Sequence, residues 1–258
     1  MKTPADELMA RYTLDRVLVD ADEFRAHIES LPGTVYDDDP RQREFERVFT
    51  WGHDHDFGPF KMEGHMGDRH VRLIDRFTGL GVVFGGRVLD VGCWTGGTSL
   101  LLAALGCRVT AIEEVGHYAG AAQYLADSFG LDNMTVQPRS LYAGLSDLGD
   151  PFDLVLLAGV LYHLSDPIRA LRILFEALRD GGTLLIETET CQDERPLFAY
   201  IGPRKPGYRW LVPSPPALRY VLEDTGFDVA YLETTGNRSL CIAMRDGWQS
   251  MMRAGVAL

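Results

Sequence analysis

The stretch VLDVGCWTGGTS, residues 88–99, decides the fold. It reads as a short buried strand that breaks into a glycine-rich turn and then opens a helix. Aliphatic side chains give the strand its bulk, whereas Gly92, Gly96 and Gly97 allow turn conformations that a Cβ would disfavour. Such a turn lets a ligand approach the backbone in the crevice above an open parallel sheet. The stretch therefore predicts a nucleotide-binding α/β fold.

A second hydrophobic strand, RVTAIEEV at residues 108–115, ends in Glu113 and Glu114 about twenty residues after the glycines. An acidic residue at the tip of this strand is placed to hydrogen-bond a ribose diol. Dinucleotides and S-adenosylmethionine both carry such a ribose. The dinucleotide fingerprint has a glycine beside the pyrophosphate, but Trp94 occupies that position here. Asp90, before the turn, suits a ligand with an ammonium group and so favours S-adenosylmethionine.

The two motifs together resemble those of class I S-adenosylmethionine-dependent methyltransferases, and the resemblance runs from about residue 86 to about residue 245. It implies an α/β fold with a Rossmann-like, seven-stranded, mostly parallel sheet and an antiparallel last strand. Residues 1–80 are interpreted as a helical N-terminal extension with a lid loop. Residues 81–258 are interpreted as the S-adenosylmethionine-binding domain.

Strands and helices alternate through the core, which predicts a parallel, doubly wound sheet. A short turn at residues 235–237 makes the last two strands antiparallel, since a tight turn cannot join parallel neighbours. The segment 190–213 reads as irregular. Helices are expected near 66–77 and near 214–225, and Asp166 is expected to cap another. The predicted strands are residues 87–91, 107–112, 133–137, 153–158, 182–188, 227–233 and 238–244.

Composition bounds the class of protein. The chain has 258 residues, of which 46% are hydrophobic and 24% charged, which is ordinary for a globular α/β domain. No apolar run approaches the ~18 residues of a membrane span, and no leader precedes the first helix, so a cytoplasmic location without a membrane partner is expected. The four cysteines form no C-x-x-C pair and are expected to be buried free thiols. Oligomeric state is left open, a homo-oligomer included.

Net charge argues against a nucleic-acid partner without excluding one. The chain carries a formal charge of −12, whereas enzymes that act on nucleic acids normally present a basic stripe. One modest basic cluster is present, at Arg204, Lys205 and Arg209. A small-molecule acceptor is therefore favoured.

The expected cofactor-binding residues follow the strand ends and the glycine-rich turn, where they face the ligand crevice. Ser140 occupies the position at which many methyltransferases place an Asp on the adenine amine. Ala158, Tyr162 and His163 follow the fourth strand and are expected near the reactive sulfonium. The full set is Asp90, Gly92, Cys93, Trp94, Gly96, Glu113, Glu114, Ser140, Leu141, Ala158 and Tyr162.

Three segments are similar to a narrower family, the bacterial tRNA wobble-uridine carboxymethyltransferases. They are GVLYHLSDP, GGTLLIETET and WLVPSPPALRYVLEDTGF, and the family's upstream GPF element also appears, at residues 58–60. That family transfers a carboxymethyl group from carboxy-S-adenosylmethionine. It places a Lys before GPF, against the extra carboxylate, but Phe57 stands there in this chain. The family's Tyr is kept as Tyr162, and Arg238 is the candidate for its C-terminal Arg.

The missing Lys implies that this chain binds ordinary S-adenosylmethionine, because an unpaired carboxylate in a partly closed site is costly. Lys61, Arg204 or Arg209 would be the alternative cations for a carboxylated cofactor. With ordinary S-adenosylmethionine the reaction is an in-line displacement at the sulfonium methyl, for which positioning in a dry site supplies much of the rate.

A hydroxyl acceptor needs a general base. His163 is the leading candidate from its strand position, with His65 second and Glu189 and His53 behind. The residues expected to contact the acceptor are Phe57, Phe60, Tyr200, Arg209 and Trp210.

The run HDHD at residues 53–56 resembles a metal-binding pattern, since imidazoles and carboxylates are common ligands. No third ligand is evident, so no metal is predicted, and a lid over the cofactor is the favoured interpretation. The first functional hypothesis is O-methylation of a small molecule such as a secondary metabolite. Modification of a tRNA base is the second, and a cofactor-binding protein without catalysis is the third.

Overall fold

The computed structural model describes residues 22, 26, 51–56, 61–202 and 209–246. Two single-turn 3-10 helices, Leu141–Ala143 and Leu161–His163, join its longer elements. The strands and α-helices in chain order are β1 (His55–Asp56), β2 (Lys61–Met62), α1 (Arg69–Gly79), β3 (Arg87–Val91), α2 (Gly97–Ala104), β4 (Arg108–Glu113), α3 (Gly116–Ser128), β5 (Met134–Pro138), β6 (Phe152–Ala158), α4 (Pro167–Ala177), β7 (Leu178–Glu189), β8 (Phe198–Tyr200), β9 (Leu211–Pro213), α5 (Pro215–Asp224), β10 (Phe227–Thr235) and β11 (Arg238–Arg245).

Seven strands form one sheet in the order β10-β11-β7-β6-β3-β4-β5. The pairs β3–β6, β6–β7 and β4–β5 are parallel, whereas β11 runs antiparallel to both β7 and β10. Parallel neighbours need crossover helices, and the strands of this sheet are accordingly separated by α2, α3 and α4. The predicted Rossmann-like sheet with its antiparallel last strand is confirmed.

By internal contacts the chain divides into two compact units. The first unit consists of residues 1–85 and 93–138, and the second of residues 86–92 and 139–258. In the first unit, α1 buries one face through Val71, Ile74 and Phe77, as expected for an amphipathic helix. Helix α2 is buried from Gly97 to Ala103 and, apart from Thr98 and Ser99, carries no polar side chain.

The second unit holds the rest of the sheet and two capped helices. The Asp166 side chain accepts from the Arg169 N–H at 3.0 Å and so caps α4, as the sequence predicts. Ser214 caps α5 in the same way, by accepting from the Ala217 N–H at 3.2 Å. Each cap is followed by a proline, which fits the first turn because it lacks the N–H that would otherwise need a partner.

Two sequence predictions need correction. The segment 190–213 is not wholly irregular, because β8 and β9 within it pair as a two-stranded antiparallel sheet. Three-residue strands carry too little periodicity to be predicted from sequence. The HDHD run, interpreted as part of a lid loop, ends in β1, which pairs with β2.

The structure describes only part of the predicted N-terminal extension. Residues 1–50 lie outside the described residues, apart from Asp22 and Ala26, which are helical. The proposed boundary between residues 80 and 81 stays a prediction.

All four cysteines are free thiols, and burial raises the pKa of Cys107 to about 11. Within the described ranges, no helix has the length and apolar character that a membrane crossing requires.

Candidate active site

The first unit holds the downstream half of the glycine-rich turn. Gly96 has a φ of +84°, and a Cβ placed there would lie 2.8 Å from the Cβ of Ala122. The Cys93 N–H donates to the Ile112 carbonyl at 3.2 Å, which ties the turn to strand β4. Only glycine combines this backbone conformation with this close approach.

Glu113 and Glu114 follow one another at the end of β4 and differ in burial. Glu113 is 8% exposed and accepts from the Trp94 N–H at 3.0 Å and from the Val115 N–H at 2.9 Å. Glu114 is exposed to solvent. The Glu113 carboxylate is therefore held at a defined place beside the glycine-rich turn, whereas Glu114 points away from the core.

The second unit holds the upstream half of the turn. Asp90 is 3% exposed and lies in β3 opposite Leu156 of β6. Gly92 follows with a φ of +69°, and a Cβ there would lie 2.6 Å from Val160 Cγ2. A buried carboxylate therefore directly precedes a turn that admits no side chain, and its role toward an ammonium group stays a prediction.

The residues that follow β5 also belong to the second unit. Ser140 caps the 3-10 turn at Leu141–Ala143, since its Oγ accepts from the Tyr142 N–H at 3.3 Å. Leu141 is buried, and Ala158, at the end of β6, lies in register with Glu187 of β7. These residues therefore occupy the strand ends where the sequence places them.

Tyr162, Arg238 and Glu187 form a cluster in the second unit. The Arg238 guanidinium lies 5.3 Å from the centre of the Tyr162 ring, a cation–π distance. It donates from Nε to Glu187 Oε1 at 2.5 Å and from Nη2 to Oε2, a bidentate ion pair. Burial opposes the charge of Arg238, but the hydrogen bonds and charge of Glu187 prevail and raise its pKa. The positive charge of Arg238 is thus balanced by its own neighbour.

Three predicted acceptor residues lie in or beside the short sheet β8–β9, and one of them, Trp210, contacts Tyr162. The Trp210 N–H donates to the Tyr162 carbonyl at 2.8 Å, and Arg209 pairs with Glu189 at 2.9 Å. The Glu189 side chain is only 12% exposed, whereas Tyr200 is 61% exposed. Phe57 and Phe60, the other two acceptor predictions, lie outside the described residues.

The two leading base candidates belong to different units. His163 is exposed and its ring lies 4.3 Å from that of Tyr162 in the second unit. His65 is exposed in the first unit, and its ring lies 6.4 Å from that of Trp94. Both side chains are accessible to solvent, as proton exchange during a reaction requires.

A histidine cluster in the first unit contains His53 and His55 of the HDHD run and His70 of α1, with His55 and His70 buried and His53 partly buried. The His70 ring lies 4.5 Å from that of His53 and 6.1 Å from that of His55. Burial lowers the pKa of each of the three to about 3. A ring that stays neutral to such acidity is a poor general base, which argues against His53 in that role. Among the described residues, no group of three His, Cys, Asp or Glu side chains has the arrangement of a metal site.

A family model described as "Methyltransferase domain" matches residues 62–232. The chain belongs to this family. The crystal structure of the N-terminal domain of EvdMO1 with SAH bound has the same fold, with a TM-score of 0.63 at 18% identity over 88% of this chain and 97% of that one. The family and the fold together indicate an enzyme with S-adenosylmethionine as its cofactor.

Two kinds of curated relative match this methyltransferase. The tRNA U34 carboxymethyltransferase of Alteromonas mediterranea is 31% identical over 153 residues, which are 56% of this chain and 45% of the relative. The ubiquinone biosynthesis O-methyltransferase of Aeromonas salmonicida is 31% identical over 122 residues, 47% of this chain and 51% of the relative. The chain thus spans about half the length of these relatives.

Two arrangements in this chain were not predicted from its sequence. His70 was not singled out, because nothing in its neighbourhood along the chain marks it. The pairing of Arg238 with Glu187 joins positions 51 residues apart. Side-chain alternation in the β7–β11 ladder was the available signal, since Arg238 pairs with Glu189 and Glu187 lies two residues away on the same face of β7.

Proposed function

We propose that this chain transfers the methyl group of S-adenosylmethionine to an oxygen atom of a small, planar acceptor. The observation that carries the choice of methyl over carboxymethyl is the bidentate Arg238–Glu187 pair. A carboxylated cofactor would place a further negative charge beside a cation that is already neutralised. The extra carboxylate and Glu187 would repel each other at close range, so ordinary S-adenosylmethionine is the better fit.

The residues present fit this cofactor. Gly92 and Gly96 leave backbone open where a Cβ would clash, which suits close approach of a ligand. We assign Asp90 to the ammonium group of the methionine moiety and Glu113 to the ribose hydroxyls. Ser140 is assigned to the adenine. The other assigned residues are Cys93, Trp94, Leu141, Ala158 and Tyr162, with Glu114 as the alternative ribose ligand.

When bound, S-adenosylmethionine supplies an electrophilic methyl group at its sulfonium. The acceptor oxygen forms the new O–CH₃ bond while the C–S bond breaks, and the bonding pair leaves with sulfur to give S-adenosylhomocysteine. His163 takes the acceptor's hydroxyl proton on a ring nitrogen, with His65 as the alternative base. Tyr162 and Trp210 orient the acceptor through their rings, and Arg209 with Glu189 contacts its polar edge.

Two further observations support a small acceptor. Trp210 lies beside the Tyr162 turn and Tyr200 of β8 is largely exposed, and aromatic rings bind planar molecules by offset stacking. One group of curated relatives is named as O-methyltransferases of ubiquinone biosynthesis, including that of Pseudomonas fluorescens at 29% identity over 69% of this chain. These two observations together support the proposed acceptor class.

The second candidate function is modification of the tRNA wobble uridine. It is favoured by relatives named tRNA U34 carboxymethyltransferase, one of which, from Methylococcus capsulatus, matches 81% of this chain at 27% identity. Arg238 beside Tyr162 is the feature of this chain that would serve a carboxylated cofactor. The candidate therefore depends on whether Glu187 leaves Arg238 available.

Native mass spectrometry of the purified protein tests the choice, because it weighs the nucleoside that stays bound. The mass of S-adenosylmethionine or S-adenosylhomocysteine is expected. A mass heavier by one carboxylate would overturn the proposal and establish the carboxymethyl donor. Glu187→Gln serves as the informative variant, since it leaves the Arg238 charge unbalanced and is expected to raise retention of added carboxylated cofactor. Glu176→Gln, at an exposed position of α4, is the matched control.

A further inference from the structure

Trp94 has a backbone conformation that bulky residues rarely adopt. Its φ is +52°, and it is the only non-glycine residue with positive φ in the part of the chain that the structure describes. Left-handed backbone is disfavoured for any residue with a Cβ and is an outlier for a large side chain. Such a conformation persists only where the surroundings impose it, and it is concentrated at functional sites.

The surroundings of Trp94 are provided by a segment that we call the histidine loop, residues 51–56 and 61–67. Gly52 lies against the indole, because a Cβ at Gly52 would be 2.6 Å from Trp94 Cε3 and 2.9 Å from Cδ2. The Gly52 N–H donates at 2.9 Å to the Oγ1 of Thr95, which is fully buried. The histidine loop therefore contacts two successive residues of the glycine-rich turn.

Aromatic rings enclose Trp94 from three positions. The rings of His53, His65 and Tyr118 lie 6.1, 6.4 and 6.1 Å from it, at interplanar angles of 69°, 71° and 89°. These are edge-to-face arrangements, which aromatic pairs favour. Two of the three rings come from the histidine loop and one from α3, so the indole is held between them.

The histidine loop cannot easily withdraw from Trp94. Its two arms are joined by hydrogen bonds from His65 N–H to the Trp51 carbonyl at 2.7 Å and from Met66 N–H to the Gly52 carbonyl at 2.8 Å. A Cβ at Gly64 would lie 2.2 Å from the carbonyl carbon of His53, so the arms are in direct backbone contact. Gly52 is thus anchored where it meets the indole.

Trp94 is also the hydrogen-bond partner of the proposed ribose ligand. Its N–H donates to Glu113 Oε2 at 3.0 Å. A change in the Trp94 backbone would move this donor and with it the Glu113 carboxylate. The histidine loop therefore contacts Trp94, and Trp94 in turn holds Glu113, the proposed ribose ligand.

We propose that Trp94 is a positioning residue whose left-handed conformation is set by contact with Gly52, so that the histidine loop controls cofactor affinity. The inference rests on the proposed function, since it takes Glu113 as a cofactor ligand. It assigns to a segment far from Glu113 in sequence the specific task of holding the glycine-rich turn in its binding conformation.

The test is a double-mutant cycle on S-adenosylhomocysteine binding, measured by titration calorimetry. Gly52→Ala places a methyl group against the indole and is expected to weaken binding by at least about tenfold. Trp94→Gly removes the indole and adopts positive φ without strain, so Gly52→Ala in that background is expected to weaken binding by no more than about threefold. Gly120→Ala is the matched control, because nothing lies within 4 Å of a Cβ at this position of α3.

The outcomes separate the inference from the proposed function. Wild-type protein that fails to bind S-adenosylhomocysteine would overturn the cofactor assignment itself. Wild-type binding with an equal loss from Gly52→Ala in both backgrounds, or with no loss in either, would overturn the positioning role alone. A structural role without positioning would lower the unfolding temperature of Gly52→Ala and leave its affinity unchanged. With an accepted substrate, the KM for S-adenosylmethionine should rise while kcat changes by less than about twofold.

Discussion

At the scale of single residues, two adjacent carboxylates differ in what holds them. Glu113 is buried and accepts two backbone N–H groups, whereas Glu114 is exposed. Hydrogen bonds to a charged acceptor contribute about 1.5–3 kcal/mol, so Glu113→Gln should weaken S-adenosylhomocysteine binding about 10- to 100-fold. Glu114→Gln should change it by less than about twofold. Titration calorimetry measures the affinity of both variants. A larger loss from Glu114→Gln than from Glu113→Gln would make Glu114 the ribose ligand.

Proton transfer is a second property of single residues. His163 adjoins Tyr162 and is accessible, so His163→Ala should lower kcat by about 10²- to 10⁴-fold with little change in the KM for S-adenosylmethionine. The measurement uses any hydroxylated acceptor that the wild type methylates. His65→Ala is the comparison, since that residue is equally exposed and lies in the other unit. A large loss from His65→Ala alone would move the base to the histidine loop.

At the scale of elements, the packing of α1 against the histidine loop makes stability depend on pH. His53, His55 and His70 have pKa values near 3 because they are buried, against an ordinary value of 6.5. Below pH 6.5 the unfolded chain takes up protons that the folded chain does not. Stability is therefore complete above this pH and is lost as the pH falls toward 3, by up to about 1.4 kcal/mol per pH unit for each histidine.

Urea unfolding between about pH 6.5 and pH 4.5 isolates this effect, because most carboxylates remain ionised there. The free energy of unfolding is expected to decrease steadily over that range. His70→Phe should reduce the slope by about one proton, since it removes one of the three titrating rings. Val83→Ala, which changes an exposed side chain without a titrating group, should leave the slope unchanged. A slope that is flat in the wild type would contradict the burial of these rings.

At the scale of the whole molecule, charge bears on the choice between acceptors. The net charge is −12, and many arginines that the structure describes are already paired with carboxylates. The pairs are Arg72–Asp68, Arg139–Asp147, Arg179–Asp153, Arg195–Asp193, Arg209–Glu189, Arg219–Glu223, Arg238–Glu187 and Arg245–Asp180. Paired arginines release few counterions from phosphates, so weak RNA binding is expected.

Filter binding of an unmodified tRNA transcript at about 0.15 M salt checks this expectation. No saturation is expected below about 10 μM protein, in the range of non-specific association. Saturable binding at nanomolar protein would instead favour the tRNA alternative. In that case Arg209→Glu should weaken tRNA binding. Arg72→Glu on α1 is the comparison variant, since Arg72 is also paired with a carboxylate.

Local patterns in the sequence were sufficient to predict the fold, and they supply the residues proposed for the cofactor site. The strand–turn–helix at residues 88–99 and the acidic end of the strand at 108–115 lie within short segments, and glycine geometry and strand periodicity act over such lengths. The same holds for the Asp166 cap and for the antiparallel last pair of strands. Each of these features depends on neighbours a few residues away.

Tertiary structure alone decided the charge balance of Arg238, the burial of the three histidines and the contact of Gly52 with Trp94. Arg238 meets Glu187 across 51 residues, and Gly52 meets Thr95 across 43. The local sequence does not indicate these contacts, because the residues that flank a histidine or an arginine do not show whether its partner is near or far along the chain. The pKa of a side chain and the strain of a backbone turn are set by what surrounds them after folding, and those surroundings come from segments that the sequence keeps apart.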